Sequence, residues 1–213
     1  MEIKLRYCER IKETELLGPY KRSVIWVYGC CFDCEGCIAH NFRYGSYCEE
    51  PPAETAQWFL SCGTEHLTIS GGEPFLQAEA LAEVITLIKE KKDIGVIIYS
   101  GFTHEELLEK SRSEPQVKAL LSLCDILIDG RYIKELDDGI PYRGSSNQRI
   151  IQLTGRYKDQ AEEYYRNTPG RRIEIALNND KTMMIGVPSR DQAQIWQRIK
   201  SLSGDESGRE EQQ

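Results

Sequence analysis

No apolar stretch in the 213 residues approaches the length needed to cross a bilayer, so nothing in the chain reads as a membrane span. Nothing at the amino terminus reads as a secretory signal peptide. A reduced, cytoplasmic setting follows as the expectation, in which the eight cysteines are not a disulfide framework. Basic charge is also short, since 27 Lys and Arg stand against 34 Asp and Glu and leave a net charge of −7. Gripping a phosphate backbone needs a concentrated basic surface, which argues against nucleic acid as the main partner. The acidic excess reads instead as solvated surface. With 40% apolar residues the length fits one domain with a substantial core over 1–202. The acidic, aperiodic tail 203–213 is expected to be disordered.

Most of the cysteines are scattered singly and none follows Cys124. Cys30, Cys34 and Cys37, with Cys31 beside the first, stand together as C-x3-C-x2-C just after the apolar run Val24-Ile25-Trp26-Val27. Three thiolates can hold three irons of a 4Fe-4S cluster and leave the fourth iron open to a small molecule. A structural zinc ion is the alternative, but zinc prefers four ligands in paired short spacings and would have to recruit Cys31, Cys48 or His40. Cys8, Cys31, Cys48, Cys62 and Cys124 form no second cluster motif. Cys31 reads as a small buried hydrophobe, and His40 as an incidental loop residue.

Short apolar runs alternate with longer amphipathic ones. Ile3 to Cys8 reads as a first strand, followed by a polar loop through Gly18-Pro19, and Val24 to Tyr28 as a buried strand that delivers the chain to the cysteine loop. Asn41 to Pro52 reads as loop, and Pro52 to Cys62 as a helix stopped by Gly63. Leu67 to Ser70, Val96 to Tyr99 and Asp125 to Ile128 are further strands. Leu76 to Lys92 and Val117 to Leu123 are helical, and Thr103 with Glu106 forms a capping box for another helix. Arg172 to Leu177 and Thr182 to Val187 suggest a hairpin about Asn178-Asn179-Asp180-Lys181, with a closing helix from Gln192 to Leu202. Tyr164-Tyr165-Arg166 reads as a partner-facing patch or a core edge.

Such alternation predicts parallel βαβ units. They are too few to close an eight-stranded barrel of roughly 250 residues, so the expected fold is α/β, an open partial (β/α) barrel in a single domain. Ligands of parallel sheets lie at the carboxyl ends of the strands. Those ends hold the cysteine loop, Gly71-Gly72-Glu73, Ser100-Gly101 and Asp129-Gly130, and ordinary turn chemistry is the alternative for the last two.

The sequence Thr68-Ile69-Ser70-Gly71-Gly72-Glu73-Pro74 is a strand running into a Gly-Gly-acid turn. Glycines let backbone approach a ligand closely, and a carboxylate complements an ammonium. Together with the cysteine triad it resembles the radical S-adenosylmethionine (SAM) superfamily. The resemblance implies that the unligated iron chelates the amino and carboxylate groups of SAM, and that the Gly-Gly-Glu turn accepts hydrogen bonds from its ammonium.

A third signature, Arg143-Gly144-Ser145-Ser146-Asn147-Gln148-Arg149 preceded by Leu127-Ile128-Asp129-Gly130-Arg131-Tyr132, resembles the activating proteins of anaerobic (class III) ribonucleotide reductase. Tyr99-Ser100-Gly101 fits the same group. That resemblance implies a SAM pocket shaped by Ser100, Asp129, Arg143, Ser145, Ser146 and Asn147, whose side chains include donors for a carboxylate or ribose. It also implies an oxidoreductase that cleaves SAM reductively to a 5'-deoxyadenosyl radical, generates a glycyl radical on a partner glycyl-radical enzyme, and draws electrons from a flavodoxin or ferredoxin.

Two segments depart from the group's pattern, Leu17-Gly18-Pro19-Tyr20 for Asp-Gly-Pro-Gly, and Cys37-Ile38-Ala39-His40-Asn41 where many members place Asn sooner. They leave open a radical SAM enzyme acting on a different protein, a peptide or a small molecule. A non-catalytic metal-binding scaffold is the remaining alternative, though a scaffold has no need of an ammonium acceptor beside a cluster.

Overall fold

The computed structural model describes residues 2–159, 170–178 and 181–203. The tail 204–213, the turn residues Asn179 and Asp180, and Tyr164-Tyr165-Arg166 lie outside them. Strand β1 (Leu5–Thr14) pairs antiparallel with β2 (Arg22–Val27), with irregularities between Tyr7 and Glu9 and between Ile11 and Thr14. It runs well past Cys8, where Glu9, Arg10, Lys12 and Glu13 break the apolar alternation that the sequence reading relied on. Bulges let a strand shed charged side chains toward solvent.

The stretch expected to be loop carries helix α1 (Asn41–Tyr44) and strand β3 (Cys48–Glu50), which pairs antiparallel with Leu5 to Tyr7 of β1. Helix α2 (Pro52–Cys62) starts on a proline and stops at Gly63, whose φ of 80° only glycine adopts freely. Then follow β4 (His66–Gly71), a 3-10 turn (Pro74–Gln77), α3 (Ala78–Lys89), β5 (Gly95–Ser100), α4 (His104–Lys110) with the foreseen Thr103/Glu106 capping box, α5 (Pro115–Ser122) and β6 (Ile126–Asp129).

Strands β2, β4, β5 and β6 lie parallel in that order, as expected. A further strand, β7 (Arg149–Gln152), pairs antiparallel with β6. The sheet order is therefore β3-β1-β2-β4-β5-β6-β7, and the molecule is an α/β single domain on a mixed seven-stranded sheet rather than a purely parallel one.

Side chains alternate across a strand. Ile25, Val27, Ile69, Ile98 and Leu127 face the helices and pack with Phe59, Leu81, Ile85, Ile88, Val117 and Leu120. Each fully buried aliphatic side chain here contributes roughly 1.5–3 kcal/mol. The opposite face carries Val24, Trp26, Ile97, Ile126 and Ile128. It is covered by Leu17, Tyr142, Tyr157 and Ile185, the last from the hairpin of β8 (Glu174–Asn178) and β9 (Lys181–Ile185). Helix α6 (Arg190–Ser203) follows. Among the described residues no helix is long and apolar enough to cross a membrane.

Candidate functional site

Val27 at the end of β2 stands in register with Gly71 at the end of β4, so the cysteine loop and the Gly-Gly-Glu turn open on one rim. They touch backbone to backbone. Gly72 N donates to Val27 O at 2.8 Å, and Glu73 N donates to Gly29 O at 2.7 Å. A Cβ on Gly71 would sit 2.4 Å from Val27 N, and one on Gly72 only 1.9 Å from Gly29 O. These glycines are a steric requirement of the join between the two loops.

Cys30, Cys34 and Cys37 are free, half-buried thiols on that loop, and Cys37 N donates to Cys34 O at 3.2 Å. Burial pushes the Cys30 thiol up to about 11 and raises Cys37 as well. Such thiols keep their protons until a metal displaces them. Among the described residues no three His, Cys, Asp or Glu side chains gather about a single point. A 4Fe-4S cube takes each thiolate on a different iron, so three soft sulfur donors on one short loop, none of them in a disulfide, suit it by their chemistry. Cys31 is exposed rather than buried, because the loop turns it outward beside Cys30. His40 is an exposed residue edge-on to Tyr44.

Several residues that the sequence did not single out hold this loop. Phe32 lies edge-on to Phe102 with centroids 4.8 Å apart, and the Arg131 guanidinium sits 4.7 Å over its ring. A Cβ on Gly101 would strike Phe32 at 2.4 Å, so the turn after β5 is also in contact with the loop. Lys134 pairs with Glu35 at 3.2 Å. Between residues 31–35 and 131–135 lies a cleft of about 640 Å³. Gln77 Nε2 donates to Arg6 O and Tyr28 O while its Oε1 accepts from Arg6 N, clamping the strand end that feeds the loop. A lone Gln after a glycine turn carries no sequence signal for this.

Glu73 is buried, and its carboxylate accepts from Phe75 N at 3.0 Å, Ser100 Oγ at 2.9 Å and Gly101 N at 2.7 Å. The side chain thus ties the rim of β4 to that of β5. Desolvation raises its pKa from 4.5 to about 7, against the pull of those three donors. The folded protein therefore holds this proton more tightly than the unfolded chain does. That contribution is complete below about 4.5 and lost as pH rises through about 7. Relative to Glu73→Gln, the wild type is expected to lose roughly 3 kcal/mol of stability across that window. Urea denaturation at a series of pH values measures it, and parallel curves would remove the claim.

The other expected site residues are occupied structurally. Asp129 accepts from His104 N at 2.7 Å and from Arg149 Nε at 3.0 Å, and Arg149 also pairs with Glu105 at 2.6 Å. Its strand neighbour Leu127 packs against the helices, and Asp129 points the same way. In the signature turn, Ser145 Oγ accepts from Ile133 N, Ser146 N donates to Leu136 O, Asn147 Nδ2 donates to Arg131 O, and Gln148 Nε2 donates to Gly130 O. Arg143 pairs with Asp138 and donates to Gln148 O. The turn braces residues 130–136, the far wall of the cleft. The departure at Leu17-Gly18-Pro19-Tyr20 sits at the opposite end of the strands. There Tyr20 stacks on His66 at 4.9 Å, away from the rim.

The sequence model of the 4Fe-4S single cluster domain family matches residues 16–151. The chain is 30% identical over 149 residues to an anaerobic ribonucleoside-triphosphate reductase-activating protein of Vibrio cholerae, covering 64% of this chain and 91% of that one. It is 30% identical over 146 residues to the protein of the same name from Enterobacteria phage T4, 64% and 87% covered, and 28% identical over 156 residues to that of Haemophilus influenzae, 68% and 97% covered. The matched span contains both the cysteine loop and the turn bonded to it, and by that match the chain belongs to the 4Fe-4S single cluster domain family, among the relatives of the anaerobic ribonucleoside-triphosphate reductase-activating proteins.

Proposed function

We propose that this chain is a radical SAM oxidoreductase that generates a glycyl radical on a partner protein of the anaerobic ribonucleotide reductase class. The observation that carries the reading is the backbone join between the cysteine loop and the Gly71-Gly72-Glu73 turn. It fixes a cluster site and an ammonium-accepting turn at one distance from each other, as a substrate bound to both requires. Cys30, Cys34 and Cys37 would hold a 4Fe-4S cluster, and Gly71, Gly72 and Glu73 the methionine end of SAM. When bound, the cluster would supply the one electron that splits the sulfonium–C5' bond of SAM into methionine and a 5'-deoxyadenosyl radical, which would leave as 5'-deoxyadenosine on taking a hydrogen atom from the target.

The chain's own contribution is placement. Glu73 holds Ser100 and Gly101 beside the turn. Asp129 fixes the start of α4 through His104 N. Arg143, Ser145, Ser146 and Asn147 shape the pocket by holding residues 130–136 against the cysteine loop. On this reading the parallel strands form an open partial (β/α) barrel, the cleft beside Cys34 admits a loop of the partner, the electron donor is a flavodoxin or ferredoxin, and the setting is cytoplasmic.

The test is anaerobic reconstitution with iron and sulfide, reduction, addition of SAM, and assay of 5'-deoxyadenosine with and without the anaerobic reductase subunit. A glycyl radical signal by electron paramagnetic resonance is the expected result. Deoxyadenosine without that signal would remove the activator assignment alone. A loaded cluster that gives no deoxyadenosine even with the reductase present would remove the whole reading.

A further inference from the structure

The hairpin β8–β9 and helix α6 lie beyond residues 16–151, the span the family's sequence model matches. The Vibrio relative spends 91% of its own length on 64% of this chain, which leaves little of it to supply a counterpart. The added segment is nevertheless built into the site-bearing part of the molecule. Ile185 is 2% exposed and packs with Leu17, Val24 and Trp26, on the sheet face that the helices leave uncovered. Met183, Val187 and Ala176 border the same cluster, together with Phe42 from the end of the cysteine loop.

One side chain anchors the segment. The Arg171 side chain is 2% exposed and spends its guanidinium on carbonyls of two separate stretches, 140–144 and Pro188. Nε donates to Ile140 O at 3.1 Å, Nη1 to Pro188 O at 3.0 Å, and Nη2 to Arg143 O at 2.8 Å and Gly144 O at 3.0 Å. Asp137 neutralises it at 2.8 Å. A planar, always-charged fork suits this many fixed acceptors, and an ammonium does not. The stretch it grips, 137–144, carries Tyr142 onto Ile97, Ile126 and Ile128 and runs directly into the signature turn. Gln192 Nε2, in the first turn of α6, donates to Arg171 O, so hairpin, helix and turn meet at one residue.

We propose that the carboxy-terminal hairpin is a wall of the substrate site that restricts what reaches the cluster, and that Arg171 is its positioning residue. The proposal rests on the function proposed above. Ile185 and Tyr142 cover the inner sheet face, and the cleft between 31–35 and 131–135 opens beside the cysteine loop. On this proposal the cleft, about 640 Å³ and flanked by Arg131, Lys134, Asp33 and Glu35, admits an extended segment of a protein partner and not a folded surface.

The experiment compares the reconstituted full-length protein with Arg171→Ala and Arg171→Lys, reading two quantities. The first is hydrogen exchange of residues 174–185 against 66–71 as internal reference. The second is the rate of 5'-deoxyadenosine formation with dithionite and SAM but no partner. Arg171→Ala is expected to exchange at least tenfold faster over 174–185 with 66–71 unchanged, and to cleave SAM without a partner several-fold faster. Arg171→Lys, which keeps the charge, is expected to fall between. Unchanged exchange over 174–185 would overturn the positioning role, and faster exchange with an unchanged rate would overturn the wall. If neither wild type nor variants form deoxyadenosine with an intact cluster spectrum and the reductase added, the underlying function is wrong and the wall falls with it, whatever the exchange shows.

Discussion

Changing Cys34 to Ala is expected to abolish assembly of a 4Fe-4S cluster, bringing iron and sulfide after anaerobic reconstitution to background. The choice among the three thiols follows from the loop's geometry. Cys30 has an exposed thiol next to it in Cys31, which could take over a lost ligand. Cys34 is flanked by Asp33 and Glu35, whose oxygens are poor partners for the soft irons of a cluster. Cys62→Ala serves as the control, since its thiol donates to Trp58 O within α2, far along the chain from the loop. A full cluster spectrum in Cys34→Ala would refute the ligand assignment. Loss in both variants would point to a general effect of removing thiols.

Gly72→Ala is expected to cost about 3 kcal/mol or more and to lower cluster occupancy in proportion. The added methyl would lie 1.9 Å from Gly29 O and 2.6 Å from Gly29 C, and neither is a flexible side chain that could swing aside. Relief requires the two loops to part, which breaks the Gly72 N to Val27 O and Glu73 N to Gly29 O bonds and leaves buried groups unpaired. Gly63→Ala gives the baseline. Gly63 is in the left-handed region, at φ 80°, where Gly72 is not, but a Cβ there meets nothing within 4 Å. Its cost should be about 1 kcal/mol, the conformational penalty alone. Equal denaturation midpoints for the two variants would show that the contact between the loops is not tight.

What could be read from the sequence follows from where burial is two-sided. Strands β2, β4, β5 and β6 are covered on both faces, so apolar runs such as Val24 to Val27 and Val96 to Ile98 stand out, and β4 was marked as much by the glycine turn that follows it. The distal half of β1 and the whole of β7 did not stand out. Glu9 to Thr14 follows no alternation, and Arg149-Ile150-Ile151-Gln152 is too short and too polar at its ends to differ from the turn before it. The cysteine loop and the glycine turn were legible because their chemistry depends on residue type at fixed spacing. Side-chain direction was not. Ser145, Asn147 and Asp129 are the polar residues expected near the rim, yet their hydrogen bonds go to Ile133 N, Arg131 O and the Arg149 guanidinium. Spacing puts donors on a turn without saying which way they face. Arg171 lay further still from view, since the carbonyls it joins are contributed by Ile140, Arg143, Gly144 and Pro188.

The two borders of the sheet are short and irregular. On one side β3 supplies only Cys48, Glu49 and Glu50, and beyond it β1 is bulged and charged; on the other β7 is four residues long with Arg149 and Gln152 outward. An unpaired strand border is a template on which a second molecule can add its own strand, and length, flatness and neutrality make it a good one. None of these is offered here. The polypeptide can therefore accumulate before any cofactor is bound without its sheets joining into aggregates.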